Sequence, residues 1–341
     1  MGALALVAAL GAPAAQAQRA DVLVVGRVLE DSTGAPLRDA SVFVPGGTAG
    51  DAAGAGGQFA FRVRPGPEVQ VRASVVGYAS ATVSTDIVPG DTVRIEFRLR
   101  RSTAQLAELP VTAERDRGRE RALGAFRDAF VGRTPNARRA RIVNPEALRL
   151  DLDWHRLSAV GEAPLVLENV ALGYEVVVHD LRLEAGRGGA RDWLGHVRFA
   201  DTCRPACGAG TLAARGEAYR GSLLHFLRAA AAGRLVEEGF EARRSRGTPG
   251  AGLFAAHETY GGALVARRAG GVWTLDVGRA ARVTYTGPDG PEESWLAADG
   301  GEVRFTAEGR ILNGREVRRY GQWDVERMAD RLPHDYGAAP E

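Results

Sequence analysis

Ser222 and His225 are the residues whose types and spacing come closest to nucleophilic chemistry. They stand three residues apart within 213–237, where apolar residues recur at helical spacing. A hydroxyl beside an imidazole base is the arrangement that activates a serine nucleophile. The sequence has no Gly-x-Ser-x-Gly motif, which would place a serine on an exposed turn. The structural alternative is favoured: Ser222 bonds to its own backbone and His225 to a buried carbonyl.

A second group of polar residues is a candidate for lining a cleft. Glu146 and Glu168 are a weak candidate acid–base pair, since glycosidic bond cleavage commonly uses two carboxyl groups that flank the bond. The candidates for contacting a ligand or partner are Asn144, Asn169, Tyr219 and Arg220. The sequence gives no distance between the carboxylates, and a helix cap or turn explains Asn-Pro-Glu at 144–146 equally well.

Cys203 and Cys207 are the only cysteines. In an oxidising compartment, two thiols four residues apart can close a small disulfide loop. A structural zinc site usually needs four ligands, and His196, the nearest histidine, leaves that set incomplete. The pair therefore predicts a local disulfide, with two free thiols as the alternative.

Composition is that of a globular protein of about two domains. The 341 residues are 45% hydrophobic and 25% charged, with a formal net charge of +2. All 44 basic residues are arginine, and 42 acidic residues nearly balance them. This balance favours solvated faces over a nucleic-acid partner.

The beginning of the chain predicts export. Residues 1–17 are an apolar run that ends on Ala15-Gln16-Ala17, a small-x-small pattern typical of a signal peptide, although basic residues are missing from its start. No later apolar run approaches the ~20 residues that a membrane span needs. We expect a soluble mature protein that is periplasmic or associated with the outer membrane.

The region 20–100 has the pattern of a β-sandwich. Short β-rich runs at 22–30, 40–44, 58–63, 68–75, 80–87 and 92–99 are separated by Gly, Pro and Asp turns. Within 68–75, the side chains of Val69, Val71 and Ala73 point to one face. A charged segment, 101–118, is expected to be a linker.

Several spaced positions in this first region resemble a known family, the carboxypeptidase regulatory-like domain. They are Gly26-x-Val28, Thr33-Gly34-x-Pro36-Leu37, Asp39-Ala40-x-Val42, Gly47-Thr48, Gly57-x-Phe59 and Ser74-x-x-Gly77-Tyr78. The resemblance implies a seven-stranded transthyretin-like β-sandwich. The family often has Asp where Gly54 stands here, so the role of that Asp is not expected in this chain.

The resemblance does not bring peptidase chemistry with it, because this module is an appendage of metallocarboxypeptidases. Their zinc site needs a His-x-x-Glu pair and a distant third ligand. Glutamate is missing from the third position after every histidine; the six are His155, His179, His196, His225, His257 and His334. We expect no metal and no cofactor.

The region 119–338 is predicted to be a strand-rich α+β domain with a few helices. Helical spacing occurs at 120–131, 213–237 and 323–332. Strand patterns occur at 149–153, 156–160, 164–168, 174–183, 193–200, 254–258, 263–267, 273–277, 281–286, 294–297 and 302–305.

Phrases in this second region resemble an uncharacterised domain that follows the same module in exported proteins of Bacteroidetes-type bacteria. They include Asn144-Pro145-Glu146, Leu172-Gly173-Tyr174, Ala218-Tyr219-x-Gly221-Ser222-x-x-His225-Phe226 and Leu332-Pro333-x-Asp335-Tyr336. This resemblance implies no known activity.

Two hypotheses from different classes follow. The leading one is a non-catalytic exported protein that binds or docks at the cell envelope, with an envelope protein, a peptide or a glycan as partner. The alternative is a hydrolase of peptide or glycan substrates that uses Ser222, His225, Glu146 and Glu168 in the second domain. Convergence of these four side chains in one pocket would favour the enzyme.

Overall fold

A computed structural model of the protein describes residues 21–102, 113–154, 156–186, 191–203, 206–247 and 259–337. The expected signal peptide, the strand at 254–258, His155 and His257 lie outside these ranges. In the described residues, buried hydrophobic side chains form three clusters. The first core is drawn from 22–99, the second core from 126–329 and the third core from 223–323. The region 119–338 therefore packs around two cores.

Residues 21–102 form the expected seven-stranded sandwich. Its strands are β1 Val22–Glu30, β2 Ser41–Phe43, β3 Gly50–Ala52, β4 Gln58–Val63, β5 Gly66–Ser74, β6 Ala81–Ile87 and β7 Thr92–Leu99. One sheet has the order β4-β1-β7, with β1 and β7 parallel, and the other has the order β3-β2-β5-β6. Alternate residues such as Val24, Val28 and Phe97 are buried between the two sheets. The short strand β3 was not predicted, because it lacks alternating apolar residues.

The second core lies under an antiparallel sheet. Its strands are β8 Ala140–Ile142, β9 Leu148–Leu152, β10 Arg156–Gly161, β11 Leu165–Asn169, β12 Tyr174–Gly186 and β13 Arg191–Asp201. The order is β8-β11-β12-β10-β9, and β13 pairs with β12. Helix α1, Ala113–Phe126, begins inside the segment expected to be a linker. It continues as a π-helical turn, Arg127–Val131, and the short helix α2, Pro135–Arg138, follows. Phe126 and Phe130 of this helical segment are buried in the core.

The third core lies between helix α4, Leu223–Ala232, and two further sheets. The preceding helix, α3 Ala209–Tyr219, packs Ala214 and Ala218 against the second core instead. The strands are β14 Phe240–Ser245, β15 Thr259–Ala263, β16 Ala266–Ala269, β17 Val272–Asp276, β18 Ala280–Gly287, β19 Gly290–Ala298, β20 Glu302–Phe305 and β21 Val317–Gly321. In the described residues their orders are β15-β14-β18-β19-β21 and β16-β17-β20. The short helix α5, Gln322–Val325, follows directly.

Two predicted helices are wrong. The stretch 213–237 is broken at Gly221, whose φ of +75° is left-handed and lets the chain turn between α3 and α4. The helix expected at 323–332 is reduced to α5 and a 3₁₀ turn, Met328–Asp330. Its residues cannot share one helical face, because Trp323 packs in the third core and Met328 in the second.

The four-stranded sheet of the sandwich faces the rest of the chain. The ring of Phe43 on β2 stacks on the imidazole of His179 on β12, with centroids 4.7 Å apart. Arg72 on β5 pairs with the carboxylate of Asp180 at 2.6 Å. Glu68, also on β5, pairs with Arg304 of β20 at 2.5 Å. The sandwich therefore contacts both of the other cores through this sheet.

The loop between β2 and β3 completes the attachment. The amide of Gly46 donates to the carbonyl of Val197 at 2.6 Å, and that of Phe199 donates to the carbonyl of Gly47 at 3.0 Å. Thr48 donates to the carboxylate of Asp335 from its amide, at 3.0 Å, and from its hydroxyl, at 2.5 Å. The loop between β2 and β3 thus pairs with β13 and is held in place by Asp335.

Asp335→Ala is expected to loosen the sandwich from the body. The substitution leaves the Thr48 amide and hydroxyl without their acceptor, which costs about 1–3 kcal/mol where water does not replace it. Limited proteolysis should cut the chain faster in this variant than in wild type. Asp39→Asn is the control, since this exposed carboxylate pairs with its neighbour Arg38 and asparagine tolerates the left-handed φ of 59° at this position. Equal cleavage rates in the Asp335→Ala and Asp39→Asn variants would contradict the expectation.

Candidate functional site

Ser222 and His225 have the structural roles favoured over a catalytic pair, although they do not share a helix face and His225 does not bond to a carbonyl. Ser222 precedes α4 and caps it: its Oγ donates to the carbonyl of Tyr219 at 2.7 Å and accepts from the His225 amide at 3.2 Å. The His225 Nδ1 accepts from the amide of Gly221 at 3.2 Å, and its Nε2 lies 3.2 Å from Glu238 Oε2. Because Nδ1 is an acceptor, Nε2 carries the proton and donates to Glu238.

The surroundings of His225 are those of a packed imidazole. Its ring contacts the rings of Tyr219, Phe240 and Tyr285, with centroids 4.7, 4.8 and 5.9 Å away. Burial lowers the pKa of His225, and the hydrogen bond that its Nε2 donates to Glu238 opposes that shift. Both ring nitrogens are engaged, so neither is directed at the Ser222 hydroxyl as a base.

The two asparagine candidates hold backbone in place. The Asn144 carboxamide donates to the carbonyl of Pro164 at 2.9 Å and accepts from the amide of Val166 at 2.8 Å. Asn169 is buried, donates to the carbonyl of Ala329 at 2.8 Å and accepts from the amide of Leu172 at 3.2 Å. Each carboxamide uses its donor and acceptor sides within the protein, so both residues are structural.

The two glutamates are not linked to the serine or the histidine. Glu168 on β11 pairs with Arg141 on β8 at 2.7 Å, and Glu146 lies in a 3₁₀ turn, Pro145–Ala147. Within the described ranges, no hydrogen bond, ion pair or ring contact joins either carboxylate to Ser222 or His225. The convergence that would favour a hydrolase is therefore not found among the described residues.

Tyr219 and Arg220 occupy different surroundings at the end of α3. The Tyr219 ring lies 5.7 Å from that of Tyr336, and the guanidinium of Arg228 stands 5.6 Å above it. Arg228 also donates to the carbonyls of His334 and Tyr336, both at 2.8 Å. Arg220 is exposed. Tyr219 thus belongs to the contacts that hold the end of the chain.

The cysteines form a disulfide, with the two Sγ atoms 2.23 Å apart. Asp201 is close to both sulfurs, but its carboxylate accepts from the buried guanidinium of Arg215 at 3.1 Å. Arg215 also donates to the carbonyls of Leu172 and Gly173. Since the sulfurs are bonded to each other and the carboxylate is neutralised, this group is a structural brace and not a metal centre.

A different surface is left uncovered by the described residues: the outside of the three-stranded sheet. We call it the outer sheet face. It consists of Leu23, Val25, Arg27 and Leu29 of β1, Gln58, Ala60 and Arg62 of β4, and Arg94, Glu96 and Arg98 of β7. A shallow groove of about 470 Å³ crosses it, and Val25, Arg27, Gln58 and Arg94 are among its lining residues.

On the central strand of the outer sheet face, the exposed Arg27 stands between Val25 and Leu29, and further arginines lie on the two flanking strands. Leu23, Val25 and Leu29 are half-buried on the central strand. Its single acid, Glu96, pairs with Arg98 at 2.8 Å. Arg27 and Arg94 are exposed, and no hydrogen bond or ion pair is found for either side chain in the described part of the chain. This arrangement leaves positive charge available beside an apolar stripe.

This face was not predicted from the sequence, although the residue pattern of β1 indicates it. β1 begins Val22-Leu23-Val24-Val25, which is apolar on both faces, whereas a sandwich strand with one solvated face should alternate with polar residues. The second apolar set, Leu23, Val25 and Leu29, forms the stripe.

Comparison with known families bears out the sequence-based recognition of the first domain. Residues 24–111 match the CarboxypepD_reg-like domain. A search of curated proteins finds no match to the chain. No helix in the described ranges has the length and apolar character needed to cross a bilayer.

Three similar solved structures come from Bacteroides. A candidate carbohydrate-binding protein from Bacteroides uniformis is 9% identical, covers 53% of this chain and 99% of its own, and has a TM-score of 0.20. A candidate membrane-associated protein of unknown function from Bacteroides fragilis is 8% identical, with coverages of 84% and 95% and a TM-score of 0.20. A DUF3823 family protein from Bacteroides uniformis is 14% identical, with coverages of 53% and 97% and a TM-score of 0.17. Similarity at this level carries no argument about fold or function.

Proposed function

We propose that this chain is an exported, non-catalytic binding protein of the cell envelope, periplasmic or associated with the outer membrane, and that the outer sheet face is its docking surface. One observation carries the proposal. Among the described residues, the body covers the four-stranded sheet of the sandwich, while an apolar stripe and a groove on the three-stranded sheet remain uncovered.

The dimensions of this face suit the centre of an interface. Three strands about 4.8 Å apart make a surface roughly 14 Å wide, and Leu23 to Leu29 spans about 20 Å. An apolar centre with a polar, arginine-rich rim is the usual composition of a protein–protein contact. Exposed apolar stripes rimmed by polar residues commonly mark such contacts on soluble proteins.

The non-catalytic part of the proposal rests on how the reactive groups are used. Ser222 caps α4, His225 is held by Gly221 and Glu238, and Glu168 is paired with Arg141. Each of these groups has a structural partner. A binding role needs none of them to be free, whereas a hydrolase would need at least one nucleophile or acid–base pair directed at substrate.

Val25→Asp is expected to abolish docking. A carboxylate in the middle of the apolar stripe must be desolvated on binding, so retention of the partner should fall about tenfold or more, which corresponds to at least ~1.4 kcal/mol. The measurement is affinity purification of the tagged mature chain from an envelope extract. Val236→Asp is the matched control, because Val236 is 84% exposed and lies outside the sandwich.

The outcomes are distinct. Wild type and Val236→Asp should retain the same envelope protein, and Val25→Asp should lose it while its thermal unfolding stays close to that of wild type. Retention of that protein by Val25→Asp, or specific retention of nothing by wild type, would contradict the proposed function.

A further inference from the structure

We propose that the occupant of the outer sheet face is an amphipathic α-helix of a partner protein, with acidic residues on both sides of its apolar stripe. This inference rests on the proposed function and names the chemistry of the partner. The width of the face, the length of its stripe and the positions of its charges support this occupant.

The width of the face fits a helix. A helix with its side chains is about 10–12 Å across, close to the roughly 14 Å of three strands. A single extended segment would occupy about 5 Å and leave the flanking arginines uncovered. A helix laid on a sheet is also one of the standard ways in which secondary structure is layered.

The length of the stripe sets the length of the helix. Leu23 to Leu29 spans about 20 Å along β1. At 1.5 Å per residue, a helix that covers this distance has about 13 residues, or between three and four turns. Apolar residues at i, i+3, i+4 and i+7 would then lie on Leu23, Val25 and Leu29.

The charges require acidic flanks on that helix. Arg62 stands on one side of the stripe, on β4, and Arg94 and Arg98 stand on the other, on β7, with Arg27 between them. Arg62 reaches the carbonyl of Asp21 at 3.3 Å, and Arg98 is paired with Glu96. Arg27 and Arg94 are thus the strongest attractors for carboxylates. Arginine favours such pairing at interfaces because its planar fork matches a carboxylate.

The test uses designed peptides and the full mature chain. The probe is a labelled peptide of about 14 residues with a leucine stripe and glutamate flanks, and its binding is followed by fluorescence anisotropy. Comparison peptides carry arginine flanks, a scrambled order, or two central prolines that prevent a helix. We expect the glutamate helix to bind at least about tenfold more tightly than each comparison peptide, since one charge-assisted hydrogen bond accounts for about that factor.

Variants of the chain locate the binding site. The double variant Arg27→Glu, Arg94→Glu should weaken the glutamate helix at least about tenfold, for the same reason. Arg139→Glu is the control, because Arg139 is an exposed arginine outside the sandwich, and should change binding less than about twofold. Unfolding curves of both variants establish that each is folded.

Several results would overturn the inference. They are equal binding of the arginine-flanked or proline peptide, no effect of the double variant, or tighter binding of a single-stranded oligonucleotide than of the glutamate helix. If Val25→Asp still loses the envelope partner in the affinity purification while any of these results is found, only the helical, acidic occupant is wrong. If Val25→Asp keeps its partner, the proposed function is wrong as well.

Discussion

Trp323→Ala is expected to lower the free energy of unfolding by about 3–5 kcal/mol, the range for removal of a large buried aromatic side chain. The indole is 1% exposed and packs on Phe226, with ring centroids 5.3 Å apart. Its Nε1–H donates to the carbonyl of Gly221 at 2.7 Å, at the break between α3 and α4. The substitution therefore leaves a cavity and an unpaired carbonyl together.

The control for this prediction is another tryptophan. Trp154 is 83% exposed on the turn between β9 and β10, so Trp154→Ala should stay within about 0.5 kcal/mol of wild type. Urea unfolding of the three proteins measures the difference. Similar losses for both substitutions, or a loss below about 1 kcal/mol for Trp323→Ala, would contradict the packing described for the third core.

Lowering the pH from 7.5 to 5 is expected to destabilise the junction between the sandwich and the body. Burial lowers the pKa of His179 to about 4, opposed by Asp180 and assisted by Arg72 and Arg198. Burial also lowers the pKa of His196 to about 4, and it lowers the pKa of His334, opposed by Asp335. All three histidines lie where the two parts meet: His179 against Phe43, His196 opposite it on β13, and His334 beside Gly46.

The sign of this effect follows from the lowered pKa. The folded chain holds these imidazoles neutral, while the unfolded chain binds protons near pH 6.5, so stability is full above that pH and falls as the pH drops toward 4. His179 and His196 should each cost about 2 kcal/mol at pH 5. Urea unfolding of wild type and His179→Leu at both pH values measures it. We expect a pH difference about 2 kcal/mol smaller in His179→Leu, and an unchanged difference would contradict the assignment.

The strands of the sandwich were predictable because local alternation determines them. The limits predicted for β1, β4 and β7 are those observed, and the turns between strands are marked by Gly and Pro. The break at Gly221 was harder to predict from the sequence, because apolar residues continue at helical spacing on both sides of it. A glycine followed by Ser222, a preferred N-cap residue, was the available sign of a new helix.

The docking surface depends on contacts distant in sequence. Which sheet of the sandwich is covered is decided by His179, Asp180 and Arg304, which lie 100 residues or more after the strands they contact. No local pattern in 20–100 carries that information. The structural roles of the candidate site residues could not be predicted for the same reason. Asn169 donates to the carbonyl of Ala329, and the ring of Tyr219 contacts that of Tyr336; both partners are distant in sequence.

Photo-cross-linking in living cells would show whether the outer sheet face docks an envelope protein. A photoreactive amino acid would replace Val25 on the outer sheet face or, in a separate strain, the exposed Val236. We expect an adduct with one envelope protein from position 25 that is absent from position 236 and that is lost in the Arg27→Glu, Arg94→Glu background. No adduct from position 25, or the same adducts from both positions, would contradict it.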